Sequence, residues 1–164
     1  MKTIRRNVFE TNSSSSHSVT IGKSTCEDSY LEIEEYSPKG YYEDTLVIDT
    51  VDFCGCWNHD TQQEKLAYLM QQIAHINDFS DLFWDFGNIE EQLEDYYDCE
   101  DFRELEEAVC EYTGAKHLRF GDLDGHIDHD SIVYDIYELK DEIGGDYCNF
   151  IFRPDSYVHF EFNG

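Results

Sequence analysis

A chain of 164 residues is the size of one domain and long enough to bury a real core. Hydrophobic residues make up 40% of it and aromatic residues 15%, which excludes a disordered acidic tail, since such tails are poor in rings. Thirty-seven acids against eleven lysines and arginines leave a formal charge of −26. That charge repels DNA, RNA and anionic lipid, so an electrostatically steered partner is expected to be basic.

The charge is lopsided. Residues 1–25 carry Lys2, Arg5, Arg6 and Lys23 against Glu10, a net of +3, and the remainder carries −29. This is not the even acidic coat of a salt-adapted protein. MKTIRRNVFE has early positive charge without a following apolar run, so a secretory leader is not expected. No window approaches the ~20 apolar residues of a membrane span. The expectation is a cytosolic protein whose six cysteines are reduced thiols.

In chain order, Thr3–Glu10 and His17–Ile21 read as short strands around a polar loop. Tyr30–Tyr36 sets Leu31 and Ile33 on one face, Pro38-Lys39-Gly40 supplies a turn, and Thr45–Val51 reads as a buried strand. Residues 1–60 are thus expected to be mainly an antiparallel sheet. The loop Asn12-Ser13-Ser14-Ser15-Ser16-His17 has the hydroxyls, amides and imidazole to bind a phosphate or to activate a serine. The same residues favour plain turns because they bond to their own backbone, and no G-x-S-x-G elbow accompanies them. Gly22-Lys23-Ser24 imitates the end of a phosphate loop, but the glycine required five residues earlier is His17. Cys54, Cys56 and His59 have zinc-ligand chemistry without a second paired half, so a turn with buried thiols is the simpler reading.

From Asp60 the pattern becomes helical. Thr61 and Glu64 form a capping box ahead of Leu66, Leu69, Met70, Ile73 and Ile76. Asn88 with Glu91 repeats the signal before Ile89, Leu93, Tyr96 and Tyr97. A third helix uses Phe102, Leu105, Val109 and Tyr112 and ends at Gly114.

After Gly114, Lys116–Phe120 reads as a strand. The following loop gathers Asp122, Asp124, His126, Asp128, His129 and Asp130. It fails as an EF-hand, because setting Gly125 sixth puts Phe120 first and Ser131 twelfth. A cation held by His126, Asp128 and His129 is the functional reading. The plain one is a helix cap at Asp128 or Asp130. Ile132, Ile136, Leu139 and Ile143 predict a helix over Ser131–Ile143, stopped by Gly144-Gly145. Cys148–Phe152 and Tyr157–Phe162 predict a hairpin around Arg153-Pro154-Asp155-Ser156. The expected class is α+β: an antiparallel sheet from N- and C-terminal strands, with an acidic helical segment at about 61–113 between them.

The segment Asp78–Tyr112 dominates the charge. It holds fourteen acids and one base, a net of −13, half the total in about a fifth of the length. As continuous helix it would span ~50 Å, one net charge per ~4 Å, close to the ~3.4 Å phosphate repeat of one DNA strand. Most charge runs are simply solvated faces. Here, however, acids crowd at i,i+3 and i,i+4 (Glu90–Glu94, Glu91–Asp95, Glu100–Glu104, Glu104–Glu107, Glu107–Glu111), each pair costing about 0.2–0.5 kcal/mol. Stability alone would place lysines there. The repulsion points to a partner that supplies the positive charge.

The run Arg5-Arg6-Asn7-Val8-Phe9-Glu10-Thr11-Asn12-Ser13-Ser14-Ser15-Ser16-His17-Ser18 resembles the opening of a group of bacteriophage-encoded proteins. Gly125-His126-Ile127-Asp128-His129-Asp130-Ser131 and Phe150-Ile151-Phe152-Arg153-Pro154-Asp155-Ser156-Tyr157 are similar to later pieces of that group, with Asp130 standing where Gln is expected. The resemblance implies phage origin, hence the host cytoplasm, and brings no catalytic residues. At class level the chain is similar to small acidic anti-CRISPR and anti-restriction proteins, which present carboxylates to a groove built for nucleic acid.

The leading expectation is therefore a non-enzymatic inhibitor without a cofactor. Asp85, Glu90, Glu91, Glu94, Asp95, Asp98, Glu100, Asp101, Glu104 and Glu107, with ring contacts from Tyr96 and Tyr97, would occupy a Lys/Arg-lined channel of a CRISPR effector or restriction nuclease. It would bind no DNA, RNA or membrane directly. The alternative is a metal- or nucleotide-dependent enzyme whose pocket gathers Glu10, Asn12, Ser14, His17, Asp128 and His129. A third expectation is a virion or host-takeover interaction protein in which the acids only confer solubility.

Overall fold

The computed structural model describes residues 4–5, 15–21, 44–53, 58–84, 87–128 and 131–162. The fold is α+β. Strands β1 (Ile4–Arg5), β2 (Ser15–Ile21), β4 (Asn58–His59) and β6 (Ser156–Phe162) form one antiparallel sheet in the order β1-β2-β6-β4, with His17 opposite Phe160. The expected strand at Tyr30–Tyr36 and the turn at Pro38-Lys39-Gly40 lie outside the described residues.

Helix α1 (Gln62–Ile76) runs through the middle of the molecule. Its capping box forms as the sequence predicts: the Thr61 hydroxyl accepts from the Glu64 amide at 3.1 Å, and Glu64 accepts from the Thr61 amide at 3.2 Å. Every residue from Lys65 to Ala74 is buried, so the helix is covered on all sides. Leu66, Leu69, Met70 and Ile73 are fully enclosed, each contributing about 1.5–3 kcal/mol by leaving water. The buried polar side chains on α1 are bonded. Lys65 Nζ donates to the Arg153 carbonyl (2.8 Å) and to Ser156 Oγ (3.0 Å). Gln71 brackets Val51, donating to its carbonyl at 3.0 Å and accepting from its amide at 2.9 Å. Gln72 donates to the Ser131 carbonyl (2.9 Å) and accepts from the Val133 amide (3.1 Å). Two glutamines thus replace the backbone partners that these loops lack.

Strand β3 (Thr45–Ile48) departs from expectation. Among the described residues it joins no antiparallel sheet; it pairs in parallel with β5 (His117–Phe120), Thr45 opposite His117 and Ile48 opposite Phe120. The two chains stay together beyond the strands, through Gly121 N to Ile48 O (2.9 Å), Thr50 N to Asp122 O (2.9 Å) and Phe53 N to His126 O (2.8 Å). Gly125 permits this approach, since a Cβ there would lie 2.4 Å from the Val51 nitrogen.

The carboxyl-terminal third holds two further corrections. Helix α4 spans Ile136–Glu142, with Asp135 as its cap, accepting from the Glu138 amide at 2.9 Å; neither Asp128 nor a start at Ser131 is used. Asp128 instead accepts the Ser131 amide on its carbonyl at 2.8 Å. The expected hairpin is a helix followed by a strand. Tyr147–Phe152 forms α5, because Asp146 caps the Asn149 amide at 2.7 Å and Tyr147, Phe150 and Ile151 fall at helical spacing into the core. Strand β6 then pairs with β2 and β4. No helix among the described residues is long and apolar enough to cross a membrane.

Candidate functional site

The acidic stretch is not one continuous helix. A 3₁₀ turn at Ser80–Phe83 is followed by α2 (Ile89–Asp98) and α3 (Glu100–Thr113), about 15 Å and 21 Å long. Asn88 caps α2 through the Glu91 amide, as predicted. Cys99, extended at φ −68° and ψ 147°, is the single residue between the two helices. Gly114, at φ +81°, ends α3 in the left-handed conformation that favours glycine.

Both helices bury their apolar faces in one ring cluster. Tyr96 packs 4.7 Å from Phe102 and stacks 5.3 Å from Phe120, centroid to centroid. Tyr96 is fully buried and donates to the Met70 carbonyl, so it belongs to the core and not to a contact surface. Tyr97 is half-buried, and its hydroxyl accepts from the Phe120 amide at 2.9 Å. Phe102, Leu105 and Val109 complete the α3 face.

The acids therefore point outward. Glu90, Glu91, Glu94, Asp95 and Asp98 are exposed on α2, as are Glu100, Glu104, Glu107 and Glu111 on α3. Asp101 is half-buried and accepts from Asn77 Nδ2 at 2.9 Å. Glu104 pairs with Lys140 at 2.7 Å. Asp98 approaches Arg103 at 3.9 Å with both side chains mostly in water, a pair worth little. Glu106 is drawn inward, accepting from Arg119 and from the Leu118 amide. Glu90, Glu91, Glu94, Asp95, Glu100, Glu107 and Glu111 have no basic partner among the described residues. Neither helix carries a base in its last turn, where the macrodipole would favour one. Asp85 lies outside the described residues.

A groove of about 790 Å³ runs along α2. It is lined by Ile89, Leu93 and Tyr97, half-buried on α2, by Glu90, Glu94 and Asp98, exposed on the same helix, and by Leu123 with the β3–β5 residues Thr45, His117 and Arg119. Arg119 lies 4.4 Å above the Tyr97 ring and is paired with Glu106. The sequence reading missed the groove, although its signal was present: an apolar line at 89, 93 and 97 beside an acidic line at 90, 94 and 98.

The other candidate sites are less developed. Glu10, Asn12, Ser14, Cys54, Cys56, His129 and Asp130 lie outside the described residues, and His17 is placed only as a β2 register position. His59 is buried between Phe53 and Phe160, with Nδ1 3.0 Å from Glu64. Burial pushes the Glu64 carboxyl up, but hydrogen bonds from His59 and Thr61 outweigh it and leave the group below its ordinary value. His126 pairs with Asp52 at 2.7 Å. Among the described residues no three His, Cys, Asp or Glu side chains gather as a metal site. No protein-family model matches the chain, and no curated protein or solved structure is detectably similar to it.

Proposed function

We propose that the protein is a phage-encoded, non-enzymatic inhibitor that acts in the host cytoplasm, where the exposed carboxylates of α2 and α3 occupy the basic nucleic-acid channel of a defence nuclease. The observation that carries this reading is the uncompensated acidic face. Seven exposed carboxylates on two well-anchored helices have no base beside them among the described residues, at a cost to stability from like-charge crowding. On α3, Glu100, Glu104, Glu107 and Glu111 recur along about 16 Å in steps of about 4.5–6 Å, wider than the ~3.4 Å phosphate repeat of a DNA strand but of the same order.

A channel that holds a guide–target duplex reads backbone charge and shape, so carboxylates at fixed spacing compete for it. The resemblance of the opening segment to phage-encoded proteins favours a host defence target, and an RNA-guided CRISPR nuclease or a restriction nuclease meets the chemistry. The net charge of −26 disfavours direct contact with DNA or RNA. The test is DNA cleavage by a panel of such nucleases with the protein added. Inhibition of one of them that is lost when Glu90, Glu91, Glu94, Asp95, Glu104 and Glu107 are reversed together to Lys supports the reading. Inhibition unchanged by that reversal in a folded protein overturns it.

A further inference from the structure

The groove beside α2 differs from the rest of the acidic face because it combines charge with apolar surface. Glu90, Glu94 and Asp98 lie one turn apart, about 6 Å per step, along its rim. Ile89 and Leu93, half-buried on the same helix, also line it, and Leu123 lines it from the loop after β5. Arg119, the one Lys or Arg among the described lining residues, is engaged by Glu106 and by the Tyr97 ring, so it does not offset the rim. An opening of about 790 Å³ is large enough for several side chains.

We infer that this groove docks one amphipathic basic helix of the protein's target, with Lys or Arg at i, i+4 and i+8 meeting Glu90, Glu94 and Asp98, and with apolar residues beside them seated on Leu93 and Leu123. The inference rests on the inhibitor reading above and names the part of the target that is held. Charge complementarity selects a cationic occupant, and the ~6 Å step matches successive helical turns. An added β-strand is disfavoured, because the β5 amides of Leu118 and Phe120 are already taken by Glu106 and Tyr97. Charge gives the encounter and apolar burial gives the grip, so the groove would distinguish its target from other basic surfaces.

The test uses two helical peptides of identical charge, titrated by fluorescence anisotropy. One carries Arg at i, i+4 and i+8 with Leu one position before each; in the other those Leu are Gln. The Leu peptide is expected to bind about ten-fold tighter, the equivalent of burying one or two apolar side chains. That gap should close in Leu123→Gln and in Leu93→Gln, each checked for fold by circular dichroism, while Glu94→Gln weakens both peptides. Equal binding of the two peptides, or no binding of either, overturns the groove. The inhibitor reading is tested apart from it by reversing Glu100, Glu107 and Glu111 on α3, which do not line the groove, and measuring nuclease inhibition.

Discussion

The phenolic oxygen of Tyr96 lies 2.8 Å from the Met70 carbonyl, so the acidic helix α2 is hydrogen-bonded to the buried centre of α1. Burial holds the Tyr96 hydroxyl well above the ordinary tyrosine range, which favours the protonated form that donates this bond. A residue that the sequence offers as a contact is thus an anchor. Tyr96→Phe should destabilise the fold by about 0.5–1.5 kcal/mol in urea denaturation, the net worth of one hydrogen bond, and leave partner binding unchanged in the folded protein.

The acidic face should weaken the fold that carries it. Glu107 and Glu111 sit one turn apart near the carboxyl end of α3, where both the like charge and the helix dipole are unfavourable. Glu111→Lys removes both penalties and should raise stability by about 0.5–1 kcal/mol, read as an increase in Tm. The same change should weaken partner binding. A loss of stability would mean that Glu111 has a structural role.

Gln72 offers a sharper test of the core. It donates to Ser131 and accepts from Val133, and both groups are buried. Gln72→Glu keeps the shape but removes the donor and buries a charge against a carbonyl. The expected loss is at least about 1–3 kcal/mol, larger than for most surface changes. Hydrogen exchange should show the segment 131–133 loosening first.

His75 sets an acid limit. Burial lowers its pKa to about 4, and its Nε2 has no hydrogen-bond partner among the described residues. The unfolded chain takes up a proton near the ordinary value of about 6.5, while the folded protein refuses it until about 4. Between these values the unfolded state binds more protons, so stability falls as pH falls, by up to about 3 kcal/mol in all. His75→Phe should flatten this part of the stability–pH curve. An unchanged difference between pH 7 and pH 4 would show that His75 is not the group responsible.

What the sequence revealed is what local chemistry dictates. Thr61 and Glu64, Asn88 and Gly114 each bond or bend within their own turn, so the helix limits at 61, 88 and 114 were readable. The outward turn of the α2 and α3 acids followed from helical spacing alone. The parallel pairing of β3 with β5 was not readable, because it joins strands about seventy residues apart through α1, α2 and α3. Residues 148–152 were misread because a short apolar run fits strand or helix equally. Tertiary burial of Tyr147, Phe150 and Ile151, together with the Asp146 cap, decides for the helix. The groove was hidden for the same reason as β5, since four of its ten lining residues come from β3, β5 and the loop after β5.

The central claim is that exposed carboxylates on α2 and α3 stand in for nucleic acid. The most direct measurement is displacement of a labelled guide–target duplex or DNA from the inhibited nuclease, followed by anisotropy at low and moderate ionic strength. The account predicts competition that weakens steeply with salt and disappears when Glu90, Glu91, Glu94, Asp95, Glu104 and Glu107 are reversed to Lys. Displacement that survives both the salt and the reversal, in a protein that keeps its fold, would contradict it.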